Sequence, residues 1–308
     1  MPFFSVITPL YNKQGYIATT LQSALAQTFT DFEIIIVNDG STDDSEAVLK
    51  TFADNRIVYI KTVNRGVSWA RNTGIENSKG KIIAFLDADD DWLPNHLQVL
   101  YDLHCRYPNA GMYASRYYYN LPGNKLQKTP LHKINDHFSG IVPDFFESSL
   151  KYRIAFTSAL AVPKEIFGIV GLFNVGYTNS EDTDMWIRIG IKYPVALSGE
   201  YTAAYNYYIE NSLSKNSLHA QKLMDFSQYK QEEKTNNGLK QFLDLYRLEY
   251  AVKYRIQGSL TLSNALLKEV APDNIGIVQG LLLNLPPAIL RTLLFVKKSL
   301  YNVGIVKV

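Results

Sequence analysis

The chain has 308 residues, with 31 Lys and Arg against 29 Asp and Glu and a formal net charge of +2. That length holds one large or two modest domains with a substantial core. The near-neutral balance, without basic clusters in an RNA-binding motif, excludes a nucleic-acid partner.

Residues 3–8 read as a strand that Pro9-Leu10-Tyr11-Asn12 breaks into a loop. No basic n-region or cleavage site precedes it, so the expected location is the cytoplasm. The single cysteine, Cys105, excludes an internal disulfide and agrees with a reducing compartment. Ile17, Leu21, Ala24 and Leu25 fall at the spacing of one apolar helix face. A second buried strand, residues 32–37, ends at Asn38-Asp39-Gly40-Ser41. Gly40 permits a tight turn there, and Ser41 with Asp44 reads as an N-cap pair for a helix reaching Phe52. Strand 57–60, a helix over 67–76 introduced by Asn64-Arg65-Gly66, and strand 82–86 complete the first half. Four short apolar strands alternating with helices predict βαβ units and a parallel, Rossmann-like sheet.

A helix over 94–107, with Leu97, Leu100, Leu103 and Cys105 in the core, leads to a tyrosine-rich strand at 111–119. Residues 121–139 are polar and rich in turn formers, which predicts a loop over the sheet face. Strand 157–162 follows, then a helix opening at Glu181-Asp182-Thr183-Asp184 with Trp186 and Ile189 buried, then a strand pair at 195–197 and 202–208. Beyond Asn211 the pattern turns helical, with Leu239, Phe242, Leu243, Tyr246 and Tyr250 on one face, and the domain boundary falls near residue 215.

The stretch with the most chemistry is Phe85-Leu86-Asp87-Ala88-Asp89-Asp90-Asp91-Trp92, an apolar strand running into carboxylates. Ligands of open α/β sheets bind just beyond the carboxyl ends of such strands. Asp87 and Asp89 alternate, so one turn can bring both to a single cation. Hard carboxylate oxygens suit Mg²⁺ or Mn²⁺, bound through one or two carboxylates and substrate phosphates. An acidic turn, with Asp90 or Asp91 capping a helix near Pro94, explains the same residues. Asp39 ends its strand as Asp87 does, either in the same crevice or as an Asx-turn before a helix. Arg71 suits fork recognition of a diphosphate and equally a solvated helix charge. Glu181, Asp182 and Asp184 occupy a first helical turn, where acids offset the positive dipole end and where one can also serve as a general base. The five histidines make no ligand pair at helical spacing, so a zinc site is not expected; His219 is the one placed to approach a metal from the far side.

Val6-Ile7-Thr8-Pro9-Leu10-Tyr11-Asn12, Val37-Asn38-Asp39-Gly40-Ser41-Thr42-Asp43, Asn64-Arg65-Gly66 with Ala70-Arg71-Asn72, Phe85-Leu86-Asp87-Ala88-Asp89-Asp90 and Glu181-Asp182 occur in that order. Together they resemble the signature of family 2 glycosyltransferases, over about the first 210 residues. The resemblance implies an α/β GT-A fold: a Rossmann-like mixed, mostly parallel sheet flanked by helices, with a C-terminal helical extension. Residues 1–92 would form the nucleotide-binding half, 93–215 the acceptor half and 216–308 the extension. It also implies inverting transfer of a sugar from a nucleoside diphosphate sugar, UDP-linked, aided by Mg²⁺ or Mn²⁺. The acceptor would be a hydroxyl of a saccharide or lipid-linked saccharide in surface polysaccharide synthesis. By position, Pro9, Tyr11 and Asp39 would hold the base, with Tyr11 stacked on it and Arg71 facing the diphosphate. Asp87 would lie on the ribose side and, with Asp89, at the metal; Asp182, with Glu181 beside it, would be the catalytic base. Two positions depart from the pattern. Asn38 stands where many members have a first Asp, and Tyr207-Tyr208-Ile209-Glu210 occupy the region of a frequent histidine.

The tail, Leu281-Leu282-Leu283-Asn284-Leu285-Pro286-Pro287 followed by 288–303, is interrupted by its prolines and Arg291. That is too early for a bilayer span of ~20 residues. A surface-lying amphipathic helix is expected, carrying Arg291, Lys297 and Lys298 towards an anionic lipid surface, peripheral on the inner face of the plasma membrane. Two rival functions suit part of the pattern. A nucleotidyltransferase would carry a Gly-rich basic loop where this chain has Pro9-Leu10-Tyr11-Asn12. A non-catalytic nucleotide-binding scaffold of a membrane glycan complex would have no need to keep Asp39, Asp89 and Asp182.

Overall fold

The computed structural model describes residues 1–123, 125–206 and 221–302. They divide into two compact units, 1–206 with 221–225 and the segment from 226 onwards. In the first unit β1 (Phe4–Leu10), α1 (Ile17–Leu25), β2 (Phe32–Asp39), α2 (Ser45–Leu49), β3 (Ile57–Thr62), α3 (Val67–Asn77) and β4 (Ile82–Phe85) alternate. Then come β5 (Asp91–Trp92), α4 (His96–Arg106), β6 (Met112–Leu121), β7 (Lys125–Lys128), β8 (Gly140–Ile141) and α5 (Phe145–Ser148). The unit closes with β9 (Leu160–Pro163), α6 (Ile166–Val170), α7 (Glu181–Lys192) and β10 (Val195–Asn206).

The strands form one mixed sheet of order β3-β2-β1-β4-β9-β6-β10-β5, with β7 on β6 and β8 on β10. Parallel pairing runs through the long strands, β3-β2-β1-β4 and β6-β10, while β9 is antiparallel to both its neighbours. The apolar runs explain this: β1, β2 and β4 are buried along nearly their whole length, as parallel strands covered by helices on both faces must be. Helix α3 comes close to β1 because position 74 is glycine; a Cβ there would stand 2.5 Å from Ile7 Cγ2. On the same sheet Phe85 packs edge-on against Trp186 of α7 at 5.7 Å and against Phe173 at 5.6 Å. This packing seats the start of α7 beside the end of β4.

Several expectations are corrected. β1 runs through Pro9 and Leu10 instead of breaking there. Leu86 N donates to Ile7 O, so odd-numbered residues of β1 face β4, whose pairing stops at Phe85. Pro9 therefore lacks its N–H where no ladder partner remains. Residues 121–139 contain a hairpin, β6–β7, and the expected pair at 195–208 is one strand with register shifts around Tyr201; Tyr207 and Tyr208 lie outside the described residues. Cys105 is exposed, on the outer face of α4.

The second unit is helical: α8 (Glu232–Thr235), α9 (Asn237–Ile256), α10 (Leu260–Leu267), α11 (Ile277–Asn284) and α12 (Pro287–Asn302). Leu248, Ala251, Val270 and Leu283 form its core. Asp244, fully buried, accepts from Lys240, Arg247, Ala271 N and Asn274, tying α9 to the turn before α11. Among the described residues no helix is long and apolar enough to cross a membrane.

Candidate active site

The carboxyl ends of β1, β2 and β4 open on one rim. β1 lies between the other two, so Asp39 at the end of β2 and Asp87 just past β4 are two strand spacings apart, about 10 Å. The loop after β1 is fastened to the loop after β2. Asn12 N donates to Ser41 Oγ at 3.1 Å, Thr42 N to Asn12 Oδ1 at 2.8 Å, and Gln14 N to Asp43 Oδ2 at 3.0 Å. Asp44 is the N-cap of α2, as expected, but makes no side-chain cap bond; the carboxylate that accepts from Ser45 N, at 3.0 Å, is that of Asp43, and Ser41 takes no part in the cap. Tyr11 is left 45% exposed at this rim, an available stacking face.

Asp39 is buried, and its two oxygens accept from the backbone N–H groups of Arg65 at 2.9 Å and Gly66 at 2.7 Å. The Asn64-Arg65-Gly66 segment thus acts by locking this carboxylate at the start of α3. Gly40 has φ +73°, and a Cβ there would stand 2.7 Å from Asn64 N, so only glycine lets the two loops close. Asn38 is structural: it donates to Tyr59 Oη and accepts from Ser41 N.

Arg71 is buried to 4% exposure, not solvated. It donates to Asp87 Oδ1 at 2.9 Å and to Glu181 Oε1 at 3.0 Å, and stacks over Phe173. Its neighbour Asn72 holds both the N–H and the C=O of Phe173. The Ala70-Arg71-Asn72 motif therefore joins three distant parts of the chain: α3, the acidic loop and the lead-in to α7. Burial, with added repulsion from Asp182, pushes the Glu181 carboxyl up to about 7, against the pull of Arg71. Asp182 is more exposed; it accepts from Thr183 N at 2.6 Å and from Thr157 Oγ1 at 3.4 Å. Ser180, just before this pair, has φ +65°, an uncommon left-handed conformation of the kind concentrated at functional sites.

The acidic loop divides in two. Asp87 and Asp89 face the rim, with Asp89 paired to Lys13 at 2.5 Å. Asp90 turns inward, accepting from Ser158 Oγ at 2.6 Å and Asn206 N at 3.2 Å, and Asp91 joins β5 and accepts from Asn206 Nδ2. Neither Asp90 nor Asp91 caps α4; that helix begins after Asn95. Burial first, and repulsion among the neighbouring acids next, raise the carboxyls of Asp89 and Asp90, while burial raises Asp91. Lys13, Thr157, Ser158 and Asn206 were not singled out in the sequence. Lys13 alone left a signal, a cation following a strand whose carboxyl end lies on the acidic rim.

These residues meet the chemistry of a divalent cation. Asp87, Asp89, Glu181 and Asp182 face two cations, Arg71 and Lys13, so acidic groups outnumber basic ones at the rim. Among the described residues no three His, Cys, Asp or Glu side chains form a metal cage. A two-carboxylate site completed by substrate phosphates is the mode Mg²⁺ favours. His219 and the Asn211-Ser212-Leu213-Ser214 loop lie outside the described residues.

Fold and rim together define an α/β protein with an acidic rim at the carboxyl ends of its parallel strands. The chain belongs to glycosyltransferase family 2, whose model, Glycosyl transferase family 2, matches residues 5–166. It is 29% identical to an uncharacterized glycosyltransferase of Rickettsia prowazekii over 71% of this chain and 65% of that protein. The chain therefore spans just under two-thirds of that relative. It is 30% identical to the putative teichuronic acid biosynthesis glycosyltransferase TuaG of Bacillus subtilis, over 72% of this chain and 85% of TuaG. Residues 1–349 of S. aureus TarS, solved in complex with UDP-GlcNAc, match with a TM-score of 0.60 at 17% identity, covering 88% of each chain. That likeness establishes the GT-A-type fold.

Proposed function

We propose that the chain is an inverting glycosyltransferase that moves a sugar from a UDP-linked donor to a hydroxyl of a saccharide or lipid-linked saccharide in surface polysaccharide synthesis. The observation that carries this reading is the Arg71 clamp, which ties the donor-side acid Asp87 to Glu181, next to Asp182. One rigid group thereby sets the spacing between the two halves of a displacement. The names of TuaG and of the UDP-GlcNAc complex of TarS support the polysaccharide and uridine parts.

Tyr11 offers its ring to the base and Asp39 accepts the base N–H beside its backbone bonds, with Pro9 next to last in β1 before them. Mg²⁺ or Mn²⁺, held by Asp89 and Asp87 with the donor diphosphate, would supply positive charge to the departing oxygen, worth several kcal/mol. Asp182 takes the proton of the acceptor hydroxyl as its oxygen bonds to the anomeric carbon. The bond from that carbon to the diphosphate oxygen breaks on the opposite face, its electron pair leaving with the nucleotide, so configuration inverts. Glu181, held by Arg71, positions this base. Arg71 is held by two carboxylates, so it serves the donor side by fixing Asp87 and not by direct contact with the diphosphate.

Titration calorimetry with UDP-GlcNAc, UDP-glucose, GDP-mannose and CMP-sialic acid, each with and without Mn²⁺, tests the proposal. Binding confined to uridine donors and lost in Asp39→Ala is expected. No binding of any nucleotide sugar overturns it, and binding with no transfer or slow hydrolysis in any acceptor screen overturns the catalytic part.

A further inference from the structure

The large apolar side chains exposed in the first unit are scattered, among them Val63, Leu126, Ile169 and Val175. Those of the helical unit are grouped. On α11, Ile277, Val278 and Leu281 are 84%, 65% and 65% exposed. At 100° per residue they share one side of the helix, while Leu283, on the opposite side, is buried in the core. On α12, Ile289, Leu293 and Val296 recur at i, i+4 and i+7 and are each 44–46% exposed. Leu290 is buried and holds the helix down. Two successive helices thus dock by one side and leave a row of branched aliphatic side chains in water. A grouped apolar row of this kind marks an interaction surface, not ordinary surface variation.

Charge decides what covers it. Beyond Asp273 the sequence has no Asp or Glu, whereas it carries Arg291, Lys297, Lys298 and Lys307. A second copy would bring two basic segments together without an acidic one; Arg291 lies beside the row and not in it, its Nε donating to Ile256 O at 2.8 Å. An anionic lipid surface meets both features: aliphatic side chains enter the acyl boundary and cations attract the headgroups. We propose that α11 and α12 form a monotopic docking face for an anionic membrane, with Ile277, Leu281, Ile289 and Leu293 as its inserting residues. The proposal is independent of the sugar chemistry at the rim.

The test is flotation of the full chain with vesicles of phosphatidylcholine containing 30% phosphatidylglycerol, and with pure phosphatidylcholine. Strong association with the anionic vesicles, weakened by salt, and little with the neutral ones is expected. Leu281→Asp and Leu293→Asp should each lower the partition about tenfold or more, since each forgoes the burial of a leucine. Val63→Asp and Val175→Asp, exposed in the other unit, should leave it unchanged. Circular dichroism and melting of the variants confirm that these surface changes keep the fold. Equal flotation with and without anionic lipid, or wild-type binding by both leucine variants, overturns the proposal. So does a dimer in sedimentation velocity that Leu281→Asp dissociates in a chain that never floats.

Discussion

Arg71→Met tests the clamp at the centre of the site. Methionine keeps the stem of the side chain against Phe173 but leaves Asp87 and Glu181 without their shared cation. Breaking a buried pair by removing one partner costs ~3–5 kcal/mol. Asp87 is 28% exposed and Glu181 only 12%, so solvent compensates the first better, and most of the cost falls on Glu181. That makes the loss depend on pH. The Glu181 carboxyl is pushed up to about 7 in the folded protein, from an ordinary glutamate value of 4.5. A raised carboxyl favours the folded state while protonated, so its contribution is complete below about 4.5 and lost as pH rises through about 7. Without the field of Arg71 the carboxyl moves higher still. The variant therefore goes on losing stability above pH 7, by roughly 1.4 kcal/mol per unit of added shift. All three tryptophans, Trp69, Trp92 and Trp186, lie in the first unit, so urea unfolding followed by tryptophan fluorescence, in EDTA, reads the relevant unit. The deficit should be small near pH 5 and largest above pH 8, and Arg71→Met with Glu181→Gln should be more stable than Arg71→Met alone at pH 8. A deficit equal at both pH values, or no rescue by the second change, refutes the clamp.

Asp182→Asn should bind donor as the wild type does in calorimetry while transfer falls ~10²–10⁴-fold; unchanged turnover rejects it as the base. Asp89→Ala should abolish the Mn²⁺-dependent part of donor binding, and a titration still sensitive to Mn²⁺ removes Asp89 from the metal. Ser158→Ala strips a 2.6 Å hydrogen bond from the buried Asp90, which should cost ~1–3 kcal/mol in the same urea assay; a change under ~0.5 kcal/mol shows that Asp90 has other support.

The alternating first half was legible because its strands are apolar runs and its first helix shows one apolar face. That Asp39, Asp87 and Asp89 share one rim followed from their places at the carboxyl ends of parallel strands. What local pattern hides is the partner supplied from far along the chain. Nothing around Ser158 or Asn206 marks them, yet they satisfy Asp90 and Asp91 from 68 and 115 residues or more away. Arg71 was read as solvent-facing or ligand-facing because a helix position says nothing of Glu181, 110 residues on. Pro9 misled for a different reason. A proline ends a strand only where its missing N–H faces a partner, and at the end of β1 it faces the side on which β4 has already stopped.

The acidic loop shows why motif and structure need each other here. Four aspartates in five positions look redundant as ligands, and a metal cannot use them all. Asp90 and Asp91 point away from the rim and accept from Ser158 and Asn206, which come from the segment leading into β9 and from the end of β10. Each inward acid costs desolvation, visible in its raised carboxyl, and that cost is offset by fixing where the outward pair stands. Asn206 also donates to Asp89 O at 2.6 Å, so the backbone presenting Asp89 is held by the same residue that hydrogen-bonds the carboxylates of Asp90 and Asp91. The inward acids are therefore the frame that fixes where the outward pair, Asp87 and Asp89, stands. It follows that loss of Asn206 should blur metal and donor binding without touching either.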